Sequence, residues 1–102
     1  MTVKFSAGSD GKEAVLSIAG RFDFGVHEEF RAALEKIRAG EFTKFTIDLG
    51  AVEDMDSAAL GMLLLLRDNL GGEKANVQIV RSRPEIREML NMANFSKLFR
   101  IT

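Results

Sequence analysis

Val3 and Phe5 alternate with Thr2, Lys4 and Ser6, and Gly8-Ser9-Asp10-Gly11 supplies turn chemistry before a second β-prone run from Ala14 to Ala19. This pattern predicts an N-terminal hairpin. After Gly20-Arg21-Phe22-Asp23-Phe24-Gly25, the residues Val26, Phe30, Leu34 and Ile37 recur at helical spacing, opposite Glu28, Glu29, Arg31, Glu35 and Lys36, until Gly40. Thr43 to Leu49 alternates strictly, with Phe45, Ile47 and Leu49 on one face and Lys44, Thr46 and Asp48 on the other. A sheet covered by helices on both sides would carry near-continuous apolar strands here, so the alternation predicts helices on one face and water on the other.

Gly50 to Asp56 reads as a loop, followed by a helix from about Ser57 to Leu70 that Gly71-Gly72 stops. Asn76 to Val80 reads as a strand. Ser82-Arg83-Pro84-Glu85 opens a further helix with Ile86, Met89, Leu90 and Ala93 on one stripe, and Phe95 to Ile101 forms a short helix or an edge strand. The expected fold is a single α/β domain over residues 1–102, with a mixed sheet of four to five strands and helices mainly on one face.

The 102 residues, 46% hydrophobic and 28% charged, suit one folded domain that buries its own core. A net charge of −1 provides no field for nucleic acid. The absence of Cys removes disulfides, zinc–thiolate sites and a thiol nucleophile. The single His27, within Val26-His27-Glu28-Glu29, reads as a surface position at a helix start rather than a general base. The N-terminus has no signal-like segment, and the apolar run from Ala58 to Leu66 is far short of the roughly 20 residues a membrane span needs, so a cytoplasmic location without membrane insertion is expected. No metal or organic cofactor is expected.

The richest segment is Asp54-Met55-Asp56-Ser57-Ala58-Ala59-Leu60-Gly61-Met62, at the carboxyl end of a sheet strand, where α/β proteins commonly place their sites. Ser57 falls at the N-cap or in the first turn, and one reading of it is a helix cap alone. A second reading is a charge switch. A phosphate on Ser57 gains from the helix N-terminus but lies beside Asp56, Asp54 and Glu53, and is repelled at an interface. Leu60, Met62, Leu63, Leu64, Leu65 and Leu66 wrap more of the helix than one core-facing stripe needs, which leaves some of them for a partner. A third reading gives the acidic loop to a divalent metal, an enzyme or a small-nucleotide binder, although no Gly-rich phosphate loop is present.

Asp48-Leu49, the short loop and Met55-Asp56-Ser57-Ala58-Ala59-Leu60-Gly61 resemble the signature of STAS domains, the sulfate transporter and anti-sigma factor antagonist family. Gly20-Arg21-Phe22-Asp23 is similar to the family's turn after the second strand, and Pro84 and Leu98-Phe99-x-Ile101 extend the likeness over nearly the whole chain. The resemblance implies a non-catalytic regulator that binds an anti-sigma factor acting as a serine kinase, with Ser57 as the phosphorylated residue and a phosphatase to reverse it. It implies partner contacts through Asp23, Met55, Asp56, Ser57, Leu60, Gly61 and Met62. Ala58 and Ala59 depart from the commoner Ser and Gly of Asp-Ser-Ser-Gly-Leu-Gly, removing a second hydroxyl and stiffening the turn. The alternative within the family is an accessory subunit of a lipid-transport ATPase or signalling complex, with Ser57 only a cap.

Overall fold

The computed structural model describes residues 2–102. Five strands, β1 (Thr2–Ala7), β2 (Glu13–Phe22), β3 (Lys44–Met55), β4 (Val77–Val80) and β5 (Arg100–Ile101), lie side by side in that order. The β1–β2 hairpin is antiparallel, because a five-residue turn joins the strands directly. Each later pair is parallel, because a helix carries the chain back across the sheet: α1 (His27–Ala39), α2 (Ser57–Asn69) and α3 (Pro84–Met92).

One parity of the strands builds the core. Leu16 and Ile18 of β2, Ile47 and Leu49 of β3, and Val77 and Ile79 of β4 are buried in one cluster with Phe30 and Leu34 of α1, Leu63 and Leu66 of α2, and Ile86 and Leu90 of α3. The three helices therefore share one sheet face, as the alternation in β3 predicts. The opposite face carries Lys4, Ser17 and Asp48, which the register lines up in one row across β1, β2 and β3, and Gln78 of β4, which pairs with Thr46.

That face is polar without being uniformly wet. Lys44 is exposed and Asp48 half-buried, but Thr46, expected on the open side, is 7% exposed. Its hydroxyl donates to Glu13 Oε2 at 2.5 Å and accepts from Gln78 Nε2 at 3.0 Å, so its neighbours on β2 and β4 cover it and satisfy it together.

The segment expected as a loop, Gly50 to Asp56, is instead strand as far as Met55. β3 keeps pairing with β2, from Ala19↔Ala51 to Phe22↔Met55, with irregularities between Ser17 and Ala19 and between Gly20 and Arg21. Small and acidic residues read as turn chemistry locally, but an adjacent strand supplies the ladder and buries Val52 and Met55, which outweighs the local preference. The C-terminal tail divides: Phe95–Lys97 makes a 3₁₀ turn, and Arg100–Ile101 a short edge strand beside β4.

Candidate functional site

The parallel pairing of β2 with β3 ends in register at Phe22↔Met55, and Asp56 N–H donates to Phe22 O at 3.3 Å. The two chain segments leaving these strand ends are thereby held together. One is the Asp23 turn. The Asp23 carboxylate accepts from Gly25 N–H at 2.8 Å and its carbonyl from Val26 N–H at 3.2 Å, fixing a 3₁₀ turn at Phe24–Val26 that feeds α1. The other is the start of α2.

There Asp56, not Ser57, is the N-cap. Asp56 is in an extended conformation, and its Oδ1 accepts from Ala59 N–H at 3.0 Å. Its carbonyl takes the N–H groups of Ala59 and Leu60 at 3.1 and 3.4 Å. Ser57 is the first helical residue, exposed, and its hydroxyl makes no side-chain hydrogen bond among the described residues. Adjacent Asp and Ser are both good caps in sequence, and the carboxylate takes the position. The reading of Ser57 as a cap is thus overturned, because the N–H it would satisfy is already taken.

From Ser57 an exposed strip runs along α2 through Gly61, Leu64, Leu65 and Asp68, at helical spacing on one side. Leu64 and Leu65 are 37% and 44% exposed, while Met62, Leu63 and Leu66 face the sheet. A groove between α2 and α1, lined by Leu65, Asn69, His27, Arg31 and Arg38, borders the strip. Phe24, 67% exposed, stacks on the His27 ring with centroids 4.9 Å apart.

The residues expected from sequence fall into two layers. Asp23, Asp56, Ser57, Leu60 and Gly61 are at least partly accessible, whereas Met55 and Met62 are 3% and 4% exposed and lie beneath the surface. Leu64, Leu65 and Phe24 were not singled out as contacts by the motif. The excess of apolar residues around α2 signalled the two leucines, and no local pattern signals Phe24.

The acidic residues around Ser57 do not converge. Asp54 accepts from its neighbour Met55 N–H at 2.9 Å and lies 3.9 Å from exposed Arg21, a contact worth little in water. Among the described residues, no group of three His, Asp or Glu side chains is placed to hold a metal ion. Among the described residues, no helix is long and apolar enough to cross a membrane.

Among the described residues a closer ion pair lies elsewhere, on the helix-free sheet face. Arg81 donates to Asp48 Oδ2 through Nε at 3.2 Å and Nη2 at 2.8 Å, and Gly50 N–H donates to Asp48 Oδ1 at 2.8 Å. The hydrogen bonds from Arg81 hold the Asp48 carboxyl below the usual carboxylate range, against an opposing push from partial burial, with Gly50 adding to the depression.

Comparison with known proteins agrees with this architecture. A family model described as "Mlab, STAS domain" matches residues 5–100. A STAS-domain-containing protein of Pseudomonas aeruginosa strain UCBPP-PA14 is 42% identical over 102 residues, covering 100% of both chains. Among solved structures, an anti-sigma factor antagonist from Mycobacterium paratuberculosis superposes with a TM-score of 0.84 at 23% identity, over 98% of this chain and 83% of that one. The anti-sigma factor antagonist SpoIIAA in its unphosphorylated form gives 0.75 at 18% identity, over 99% and 87%. The phosphorylated form of the Bacillus protein gives 0.73 at 17%, over 99% and 91%. With a STAS family model matched over residues 5–100 and a STAS-domain relative 42% identical along its whole length, this chain belongs to the STAS domain family.

Proposed function

We propose that this STAS domain is a non-catalytic binding switch of the anti-sigma factor antagonist kind, docking an anti-sigma factor that is also a serine kinase and gated by reversible phosphorylation of Ser57. The observation that carries the proposal is the division of labour at the start of α2. Asp56 does the capping, so the Ser57 hydroxyl is accessible at the head of an exposed apolar strip and is not needed to hold the helix. A kinase can reach it without unfolding the turn.

A phosphate on Ser57 adds about −1.5 to −2 charge beside Asp56, with Asp54 and Asp23 on the flanking segments. In the free protein water screens that charge and the α2 N-terminus favours it. Under a docked partner the same charge must lose its water, and Asp56 cannot neutralise it, so docking weakens. Gly61, Leu64 and Leu65 supply the apolar contact that the unmodified protein offers, with the Asp23 turn alongside. That SpoIIAA is described in both unphosphorylated and phosphorylated forms supports carrying the gate over to Ser57. No chemistry of its own is required of this chain: it has no Cys, and its one His stacks on Phe24 with no hydrogen bond to Ser57 among the described residues.

A second reading rests on the strip itself, which is exposed whatever the state of Ser57. It makes the domain a constitutive accessory subunit, of a transporter ATPase or a signalling complex. Pull-downs with the wild-type, Ser57→Ala and Ser57→Asp chains as bait separate the two. The switch predicts a histidine-kinase-type ATPase captured by wild type and Ser57→Ala but not by Ser57→Asp. Equal capture of one protein by all three baits supports the constitutive reading.

A further inference from the structure

We propose that the helix-free face of the sheet carries a second site, which binds a small organic anion between the Lys4 ammonium and the Asp48-anchored guanidinium of Arg81. A cleft of about 560 Å³ opens on this face, within the range of small-molecule sites. Its floor is made of small residues, Ala19 of β2 and Gly50 and Ala51 of β3. Lys4 and Ser17 stand on one side and Arg81 on the other. The strand register places Lys4, Ser17 and Asp48 in one row across β1, β2 and β3, so the arrangement belongs to the sheet rather than to a mobile loop.

Arg81 marks the cleft as built. It follows β4 with a φ of 61°, in the left-handed region that an arginine adopts only at a cost. Its guanidinium folds back over the sheet onto Asp48 in a two-point contact. Gly50 makes room for this: a Cβ there would sit 3.1 Å from Asp48 Oδ1 and 3.3 Å from Arg81 Cβ. The Asp48 carboxylate is thus occupied by Arg81 and by Gly50 N–H and acts as an anchor.

What remains around the floor is donor capacity. Arg81 Nη1 takes no part in the ion pair, and neither the Lys4 ammonium nor the Ser17 hydroxyl has a side-chain hydrogen bond or ion pair among the described residues. Two cations against one carboxylate leave one positive charge in excess. Donors lining one cleft, with an excess positive charge, fit a carboxylate or phosphate group. The shallow alanine and glycine floor, together with a volume well beyond that of a bare ion, fits an organic body attached to it.

Nuclear magnetic resonance titration at constant ionic strength tests this, with phenyl phosphate, inorganic phosphate and chloride as probes. Phenyl phosphate should give saturable shifts at the amides of Ser17, Ala19, Gly50 and Ala51, with inorganic phosphate at least threefold weaker and chloride without saturation. Lys4→Ala and Arg81→Ala should each weaken phenyl phosphate at least tenfold while the spectrum stays that of the folded protein. Arg81→Lys, which keeps the charge but loses the two-point anchor, should fall between. Shifts confined to Ser57–Ala59 would put the anion at the start of α2 and overturn the proposal. So would equal response to chloride, or shifts that survive both alanine substitutions.

Discussion

Gly61 sits in the second turn of α2, inside a helix, where glycine is less favourable than alanine by about 0.5–1 kcal/mol. Nothing among the described residues explains it. A Cβ built at Gly61 meets no atom within 4 Å, so no neighbour within the domain demands the missing side chain. It lies four residues from Ser57 on the exposed strip, which suggests that a partner's surface approaches the α2 backbone there. Gly61→Ala should therefore raise the stability of the isolated domain by about 0.5–1 kcal/mol, lifting Tm by roughly 2–8 °C for a domain of this size. The same methyl group would press into a close-packed interface, where overpacking costs about 1–3 kcal/mol, or roughly 5- to 150-fold in Kd. Denaturant unfolding gives the first quantity and calorimetric titration with the captured partner the second. A less stable variant would show that the position is not open as described, and unchanged affinity would remove Gly61 from the docking surface.

Asp56→Ala should destabilise the domain by about 1 kcal/mol, while Ser57→Ala changes it by no more than about 0.5 kcal/mol. The reverse order in chemical denaturation would return the cap to Ser57. The depressed pKa of Asp48 contributes stability that is fully present above the unfolded carboxylate value near 4 and is lost as pH falls through the folded value. Wild type and Asp48→Asn should accordingly differ most at neutral pH and converge in acid, and a gap that persists unchanged to the lowest accessible pH would count against the Arg81 pairing. Ser82, between Arg81 and α3, buries a hydroxyl that has no hydrogen-bond partner among the described residues, so Ser82→Ala should be neutral or stabilising by up to about 1 kcal/mol. A clear loss of stability would mean that the hydroxyl is satisfied after all.

The parts legible in the sequence were those that periodicity controls. Alternation in Thr43–Leu49 gave the sidedness of the sheet because each inward residue meets a helix that the chain must supply anyway. Pro84 marked the start of α3 because a fixed φ and a missing N–H suit the first turn. Competition between neighbours was not legible. Asp56 and Ser57 are both competent caps, and which one turns inward depends on where β2 stops holding β3. The length of β3 was hidden for the same reason: Gly50, Glu53 and Asp54 read as a loop until β2 lies alongside them. Burial of Thr46 depends on Glu13 and Gln78, more than 30 residues away in either direction. The left-handed turn at Arg81 has no sequence signature, since arginine is not a residue type that favours that conformation. Asn94, also left-handed, is of a type that tolerates that conformation.

Whether the charge state of Ser57 decides docking can be measured on one partner with two forms of the same chain. Calorimetric titration of the captured partner with unmodified protein and with protein phosphorylated at Ser57, its single site confirmed by intact mass, should give an affinity at least tenfold weaker for the phosphorylated form. Circular dichroism should show both forms equally folded, because Asp56 holds the helix start in each. Equal affinities for the two folded forms would contradict the gate and leave a constitutive binding domain in its place.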